Sequence, residues 1–181
     1  MITGDNHLTA LKISRELSFG PTSSLNLVAK EKKFYWSDSD KTVFEAELVK
    51  EKIKSLSSNH TLCLPGETIS LLPTPLLILL VNYVNIYART SPSQKELLIH
   101  YLKMNGFDLL MCGDGTNDVG ALKKADIGIA LVGLKDGKVI FCLIILLSSY
   151  YFFLNLCKIL DIIIYSIFFF KFHLSSIIFY S

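Results

Sequence analysis

The stretch "LLMCGDGTNDVGALKKADIGIAL", Leu109 to Leu131, decides how the chain is read. An apolar run, Leu109–Cys112, feeds a turn with two glycines and two acids, and a helix-compatible segment then leads to a second apolar run. Strand, turn, helix and strand in that order, with buried apolar strands, is the pattern of an α/β domain with a largely parallel sheet. In such sheets the turns at the carboxyl ends of strands converge on one crevice, so the polar residues there are the candidates for chemistry. Asp114 and Asp118 are four residues apart, and with a helix beginning near Thr116 both lean toward that crevice. Two hard carboxylate donors beside a phosphate suit Mg²⁺, which takes one or two carboxylates and leaves its other positions to phosphate and water. Asn117 adds a neutral hydrogen-bonding side chain.

Upstream of this stretch, "SPSQKELLIHYLKMNG" predicts a helix with clear ends. Ser91 is the N-cap, Pro92 takes the first helical position, Gln94 completes a capping box, and Gly106 is the stop. Leu97, Leu98, Tyr101 and Leu102 share its apolar face. Lys95 lies in the first turn, where the helix dipole disfavours a cation unless an anion compensates; a phosphate would compensate. A third loop, "TGD" at Thr3-Gly4-Asp5, precedes the helical stretch "HLTALKISREL". Gly4 permits a tight turn and close backbone approach there, and the Thr3 hydroxyl with the first amides of the helix can hold phosphate oxygens. Asp5 or Asn6 is placed to cap this helix, Leu8, Ala10, Leu11, Ile13 and Leu17 supply its buried face, and Gly20-Pro21 stops it.

Between these landmarks "NLVAK", "FYW" and "VFEAEL" are strand-like, "HTLCLPGETISLL" reads as a strand feeding a short helix or turn, and "PLLILLVNYVNIYA" as a helical turn plus strand, since Pro73 and Pro75 bar a continuous helix. "MIT" is too short for a whole strand, so the start reads as a truncation.

Taken together, "TGDN", "ARTSPSQK" and "MCGDGTNDVGALKKADIGIAL" resemble the phosphorylation domain of P-type ATPases, members of the haloacid dehalogenase superfamily, and most of all the type V class, subgroup A. Ion-pumping classes usually read Ala-Pro where Val119-Gly120 stand here. The resemblance implies a Rossmann-like domain, a parallel sheet with flanking helices, divided into a start at 1–20, a weakly matching middle at 21–87 and a core at 88–132. It implies ATP as substrate and Mg²⁺ as cofactor. Thr3 becomes a phosphate-binding hydroxyl, and Gly4, Asp5 and Arg89 become contacts to nucleotide or phosphate. Lys95 becomes the cation that neutralises the transferred phosphoryl group, Asp114 a metal ligand, and Asn117 and Asp118 its supports. The family's aspartate nucleophile sits in a "DKTGT" motif, and these 181 residues contain none. The expectation is therefore a fragment, inactive alone, of an endoplasmic-reticulum ATPase with a cytosolic catalytic domain. That enzyme moves transmembrane helices or cations and depends on the rest of the ATPase as partner. The competing readings are a non-enzymatic remnant, an incomplete gene model, or another phosphatase of the superfamily.

The bulk composition narrows this little. A net charge of +2 argues against a nucleic-acid partner, whose binding surfaces carry a strong basic bias. Cys63, Cys112, Cys142 and Cys157 form no CxxC pair and sit in apolar runs, as small buried hydrophobes do. Mean hydropathy is +0.44, and the excess lies in the apolar tail, 133–181. Val139–Cys157 carries no charge and is long enough for a membrane-spanning helix, which would make lipid a partner. Lys158, Asp161, Lys171 and His173 weaken a second span. Translated non-coding sequence is the other reading of the tail. No signal peptide is expected, because "MITGDN" lacks a basic n-region and an apolar h-region.

Overall fold

The computed structural model describes residues 1–38, 42–113, 116–135, 138–144 and 177–180. The fold is mixed α/β. Helix α1 (His7–Glu16) precedes a three-stranded stretch, β1 (Ser24–Lys30), β2 (Lys33–Ser37) and β3 (Val43–Glu45). Next come α2 (Lys50–Asn59), β4 (Thr61–Pro65), α3 (Gly66–Ile69), α4 (Thr74–Leu80), β5 (Ile86–Ala88) and α5 (Pro92–Met104). Strand β6 (Leu109–Gly113), a 3₁₀ turn (Thr116–Asp118), α6 (Val119–Lys124), β7 (Ile127–Lys135), β8 (Lys138–Ile144) and β9 (Ile177–Tyr180) follow.

The strands form two sheets, ordered β3-β2-β1-β4-β5 and β8-β7-β6-β9. Strands β1, β4 and β5 are parallel, and Ile2 extends them by a parallel bridge to Tyr87. "MIT" is held along β5 by Thr3 N–H to Tyr87 O and Tyr87 N–H to Met1 O, both 2.8 Å. Strands β6 and β7 are also parallel. The expectation of a largely parallel sheet needs correcting at the margins, where β2, β3, β8 and β9 all pair antiparallel. The physical reason at β1–β2 is a two-residue turn: Glu31 and Lys32 both have positive φ, 49° and 65°, the geometry whose twist matches that of a hairpin.

Side chains alternate across the first sheet, as strand periodicity requires. Leu62, Leu64 and Tyr87 enter the main core with Leu25, Leu27, Trp36, Ile53, Leu80 and Leu98, whereas Cys63, Ile86 and Ala88 pack with Met1 and Ala10 of α1 on the other side. The main core also takes Leu109 and Met111 of β6 and Ala121 and Leu122 of α6, so both sheets share it. Each fully buried Leu, Ile or Met among them stabilises the fold by roughly 1.5–3 kcal/mol relative to exposure.

Helix α1 starts where expected, with Asn6 Oδ1 accepting from Thr9 N–H at 3.0 Å. It stops at Glu16, earlier than Gly20-Pro21, because Ser18 turns into the left-handed region at φ 55°. Leu8 is exposed rather than part of the buried face; Ala10 and Ser14 fill that face. In the tail, a helix over 139–157 is not what the described part shows: residues 138–144 form β8 against β7. Its run of β-branched and aromatic residues suits a strand. Residues 145–157 lie outside the described set, and among the described residues no helix is long and apolar enough to cross a membrane.

Candidate active site

Four turns at the carboxyl ends of strands meet: Thr3–Asp5 beside β5, the Pro65–Gly66 junction after β4, Arg89–Ser91 after β5, and the 3₁₀ turn Thr116–Asp118 that follows β6. The first and third are stitched directly. Thr3 O accepts from Thr90 N–H at 3.0 Å and from Thr90 Oγ1 at 2.9 Å, and Asp5 O accepts from Arg89 N–H at 2.8 Å. Thr3 is fully buried, and its hydroxyl accepts from Asp5 N–H at 3.0 Å.

The capping box predicted for α5 is present in full. Gln94 N–H donates to Ser91 Oγ at 3.3 Å, and Ser91 N–H donates to Gln94 Oε1 at 2.9 Å. One residue further, Lys95 is buried, and its Nζ donates to Asp118 Oδ1 at 2.6 Å. Both side chains are almost out of solvent, 9% and 4% exposed. A charge pair removed from water this completely is costly unless geometry and charge are matched. Asp118 reaches that position because Gly113 has no side chain: a Cβ there would lie 2.7 Å from Asp118 Oδ2 and 2.8 Å from its Cβ.

Around this pair the structure places the other sequence-predicted residues unevenly. Asp5, Arg89 and Asn117 are exposed. Arg89 takes φ 52° without being glycine, a strained conformation of the kind that gathers at functional sites. The φ of Gly4 is not positive, and among the described residues a Cβ there would meet nothing within 4 Å, so the space beside it is open. Asp114 lies outside the described residues. No group of three or more His, Cys, Asp or Glu side chains that could hold a metal by themselves occurs among the described residues.

The sequence did not announce the second tier of contacts. Gln94 Nε2 donates to Gly66 O at 2.7 Å and to Ser70 Oγ at 2.9 Å. Asp126 accepts from Leu109 N–H at 2.9 Å and pairs with Lys103 Nζ at 2.8 Å, pinning the starts of β6 and β7 to α5.

Comparison with known proteins supplies the context for this geometry. No family model matches the chain. It is 41% identical over 141 residues to the endoplasmic reticulum transmembrane helix translocase of Schizosaccharomyces pombe, covering 75% of this chain and 12% of that protein. To the translocase of the same name in Saccharomyces cerevisiae it is 39% identical over 146 residues, 76% of this chain and 12% of that one. By homology the chain belongs with the type V P-type ATPases. Another relative in this class is the probable manganese-transporting ATPase PDR2 of Arabidopsis thaliana, 37% identical over 141 residues, with 75% and 12% covered. The chain thus spans about one eighth of the length of the type V ATPases it matches, 12% in each of these three.

Burial also sets the character of the nearby thiol. Cys63 of β4 is fully buried, and burial pushes its pKa up to about 12. It behaves as a small hydrophobe rather than a nucleophile or ligand.

Proposed function

We propose that residues 1–132 form the part of a type V P-type ATPase phosphorylation domain that grips the phosphoryl group during ATP-driven formation and hydrolysis of an aspartyl phosphate. The observation that carries this reading is the buried Lys95–Asp118 pair at the carboxyl ends of parallel strands, in a chain homologous to ATPases. Transfer of a phosphoryl group requires little covalent chemistry of the protein beyond positioning and charge stabilisation. Lys95 supplies a fixed ammonium for the equatorial oxygens, with Asp118 setting its aim. Thr3 and the amides after it offer donors to phosphate, and Asp5, Arg89 and Asn117 line the mouth for nucleotide or phosphate contact.

The donor set fits Mg²⁺: hard carboxylates of Asp114 and Asp118 and the amide oxygen of Asn117, with too few protein ligands for a closed cage and therefore positions left for phosphate and water. Bound there, the ion neutralises phosphate charge. Asp114 is the proposed direct ligand; Asp118, engaged by Lys95, serves as its support. The aspartate nucleophile is supplied by the rest of the ATPase, so the isolated chain neither autophosphorylates nor hydrolyses ATP. In the whole enzyme the chemistry drives translocation of transmembrane helices or cations in the endoplasmic reticulum membrane, with the catalytic domain cytosolic.

A chimera tests this. The matched segment of the S. pombe translocase is replaced by that of this chain, and phosphoenzyme formed from radiolabelled ATP and Mg²⁺ is measured. The chimera is expected to label, and Lys95→Ala to lower the rate about a hundredfold, as loss of one charge-stabilising donor does. Labelling of Lys95→Ala at the parent rate overturns the proposal.

A further inference from the structure

We propose that Gln94 and Gly66 are positioning residues for the phosphoryl site, forming a clamp that fixes both Lys95 and the strained Arg89; this rests on the phosphoryl-transfer reading above. Gln94 uses both ends of its amide. Its Oε1 accepts from Ser91 N–H, while Nε2 donates across to Gly66 O at 2.7 Å and Ser70 Oγ at 2.9 Å. The capping bond alone would secure the start of α5. The two cross-links do something different: they tie that first turn to the β4–α3 junction, 28 residues away in sequence.

Gly66 completes the clamp from the other side. A Cβ on Gly66 would run into the carbonyl oxygen of Arg89 and come 2.8 Å from Gln94 Oε1. That carbonyl belongs to the residue held at φ 52°, whose N–H is already taken by Asp5 O at 2.8 Å. Arg89 is thus held at its N–H by the first loop, while its carbonyl packs so closely over Gly66 that no larger residue fits there. Lys95 follows Gln94 directly, so rotation or slippage of this first turn moves Nζ relative to Asp118.

The experiment uses the chimera described above with Gly66→Ala, Gln94→Ala and Gln94→Glu. The last retains an acceptor for Ser91 N–H but sets a carboxylate oxygen against Gly66 O in place of a donor. All three are expected to slow phosphoenzyme formation at saturating ATP tenfold or more, on the order of what a misplacement of about 1 Å costs, while the ATP concentration for half-maximal rate changes less than about twofold. Gln94→Glu is also expected to keep the thermal midpoint of the 181-residue chain closer to wild type than Gln94→Ala does.

Parent rates in all three variants overturn the clamp, provided Lys95→Ala is impaired; if Lys95→Ala is itself unimpaired, the phosphoryl-transfer reading falls first. Rate losses that only track the fall in thermal midpoint reduce Gln94 and Gly66 to structural residues and also overturn it. Amide hydrogen exchange on the 181-residue chain gives a second measure independent of the chimera. Gln94→Glu should speed exchange at Arg89 and Thr90 while leaving Ser91 protected, and unchanged exchange at Arg89 and Thr90 counts against the clamp.

Discussion

Breaking the Lys95–Asp118 pair one side at a time gives a stability test that needs no ligand. Lys95 Nζ and Asp118 Oδ1 are 2.6 Å apart with 9% and 4% of their side chains exposed. Lys95→Met keeps most of the apolar stem and removes the ammonium beside Asp118; Asp118→Asn keeps the shape and removes the carboxylate charge beside Nζ. Removing one member of a buried pair costs about 3–5 kcal/mol, because the other charge stays out of water. An exposed pair such as Lys33–Glu45, with about three fifths of each side chain in solvent, is screened by water and contributes far less. The double variant removes both charges, so its loss should fall well short of the sum, by about 2 kcal/mol or more. Urea unfolding followed by fluorescence reads this directly, since Trp36 is the chain's one tryptophan, is 1% exposed, and shares the main core with α6. The pair should also resist screening between low and high salt. Single-variant losses below about 1 kcal/mol with an additive double would place the pair in a solvated setting and refute the reasoning.

Other consequences follow from the same contacts. Gly113→Ala should destabilise by about 1–3 kcal/mol through crowding against Asp118, whereas Gly4→Ala, with open space around it, should change urea stability by less than about 0.5 kcal/mol. Ser91→Ala removes the cap that accepts from Gln94 N–H and should cost about 1 kcal/mol in thermal or urea unfolding. Cys63 should escape iodoacetamide at pH 8 in the folded chain and react in urea, read by mass spectrometry of its peptide. Its raised pKa favours the protonated form in the folded state. The contribution to stability is therefore whole below pH 9, the ordinary thiol value, and is lost as pH climbs toward 12.

Local chemistry made some of this fold legible from the residues alone. The capping box of α5, the Asn6 cap of α1 and the apolar run of β6 each depend on neighbours within a few positions, and each is present as read. Helix α2 gave no such signal, because only Ile53 of its ten residues is buried and no apolar stripe marks it. The β1–β2 hairpin was hidden for a different reason: Glu31 and Lys32 adopt positive φ without the Asn or Gly that usually advertises such a turn. At the site, the motifs pointed to Lys95 and Asp118 separately, but their pairing spans 23 residues and arises from α5 packing beside α6 and β6. The Gln94–Gly66 bond is equally non-local. Leu8 was read as buried, and α1 turns it to solvent.

The central claim is that Lys95 and Asp118 together address a magnesium-bound phosphoryl group. A crystal structure of the chimera with Mg²⁺ and beryllium fluoride tests it most directly. The account predicts Lys95 Nζ within about 3 Å of both a fluoride of the mimic and Asp118, a normal hydrogen-bond distance, with Thr3 and Asp114 on the same side of the bound group. A mimic seated elsewhere, with Lys95 bonded to Asp118 alone and Thr3 facing away, would contradict it.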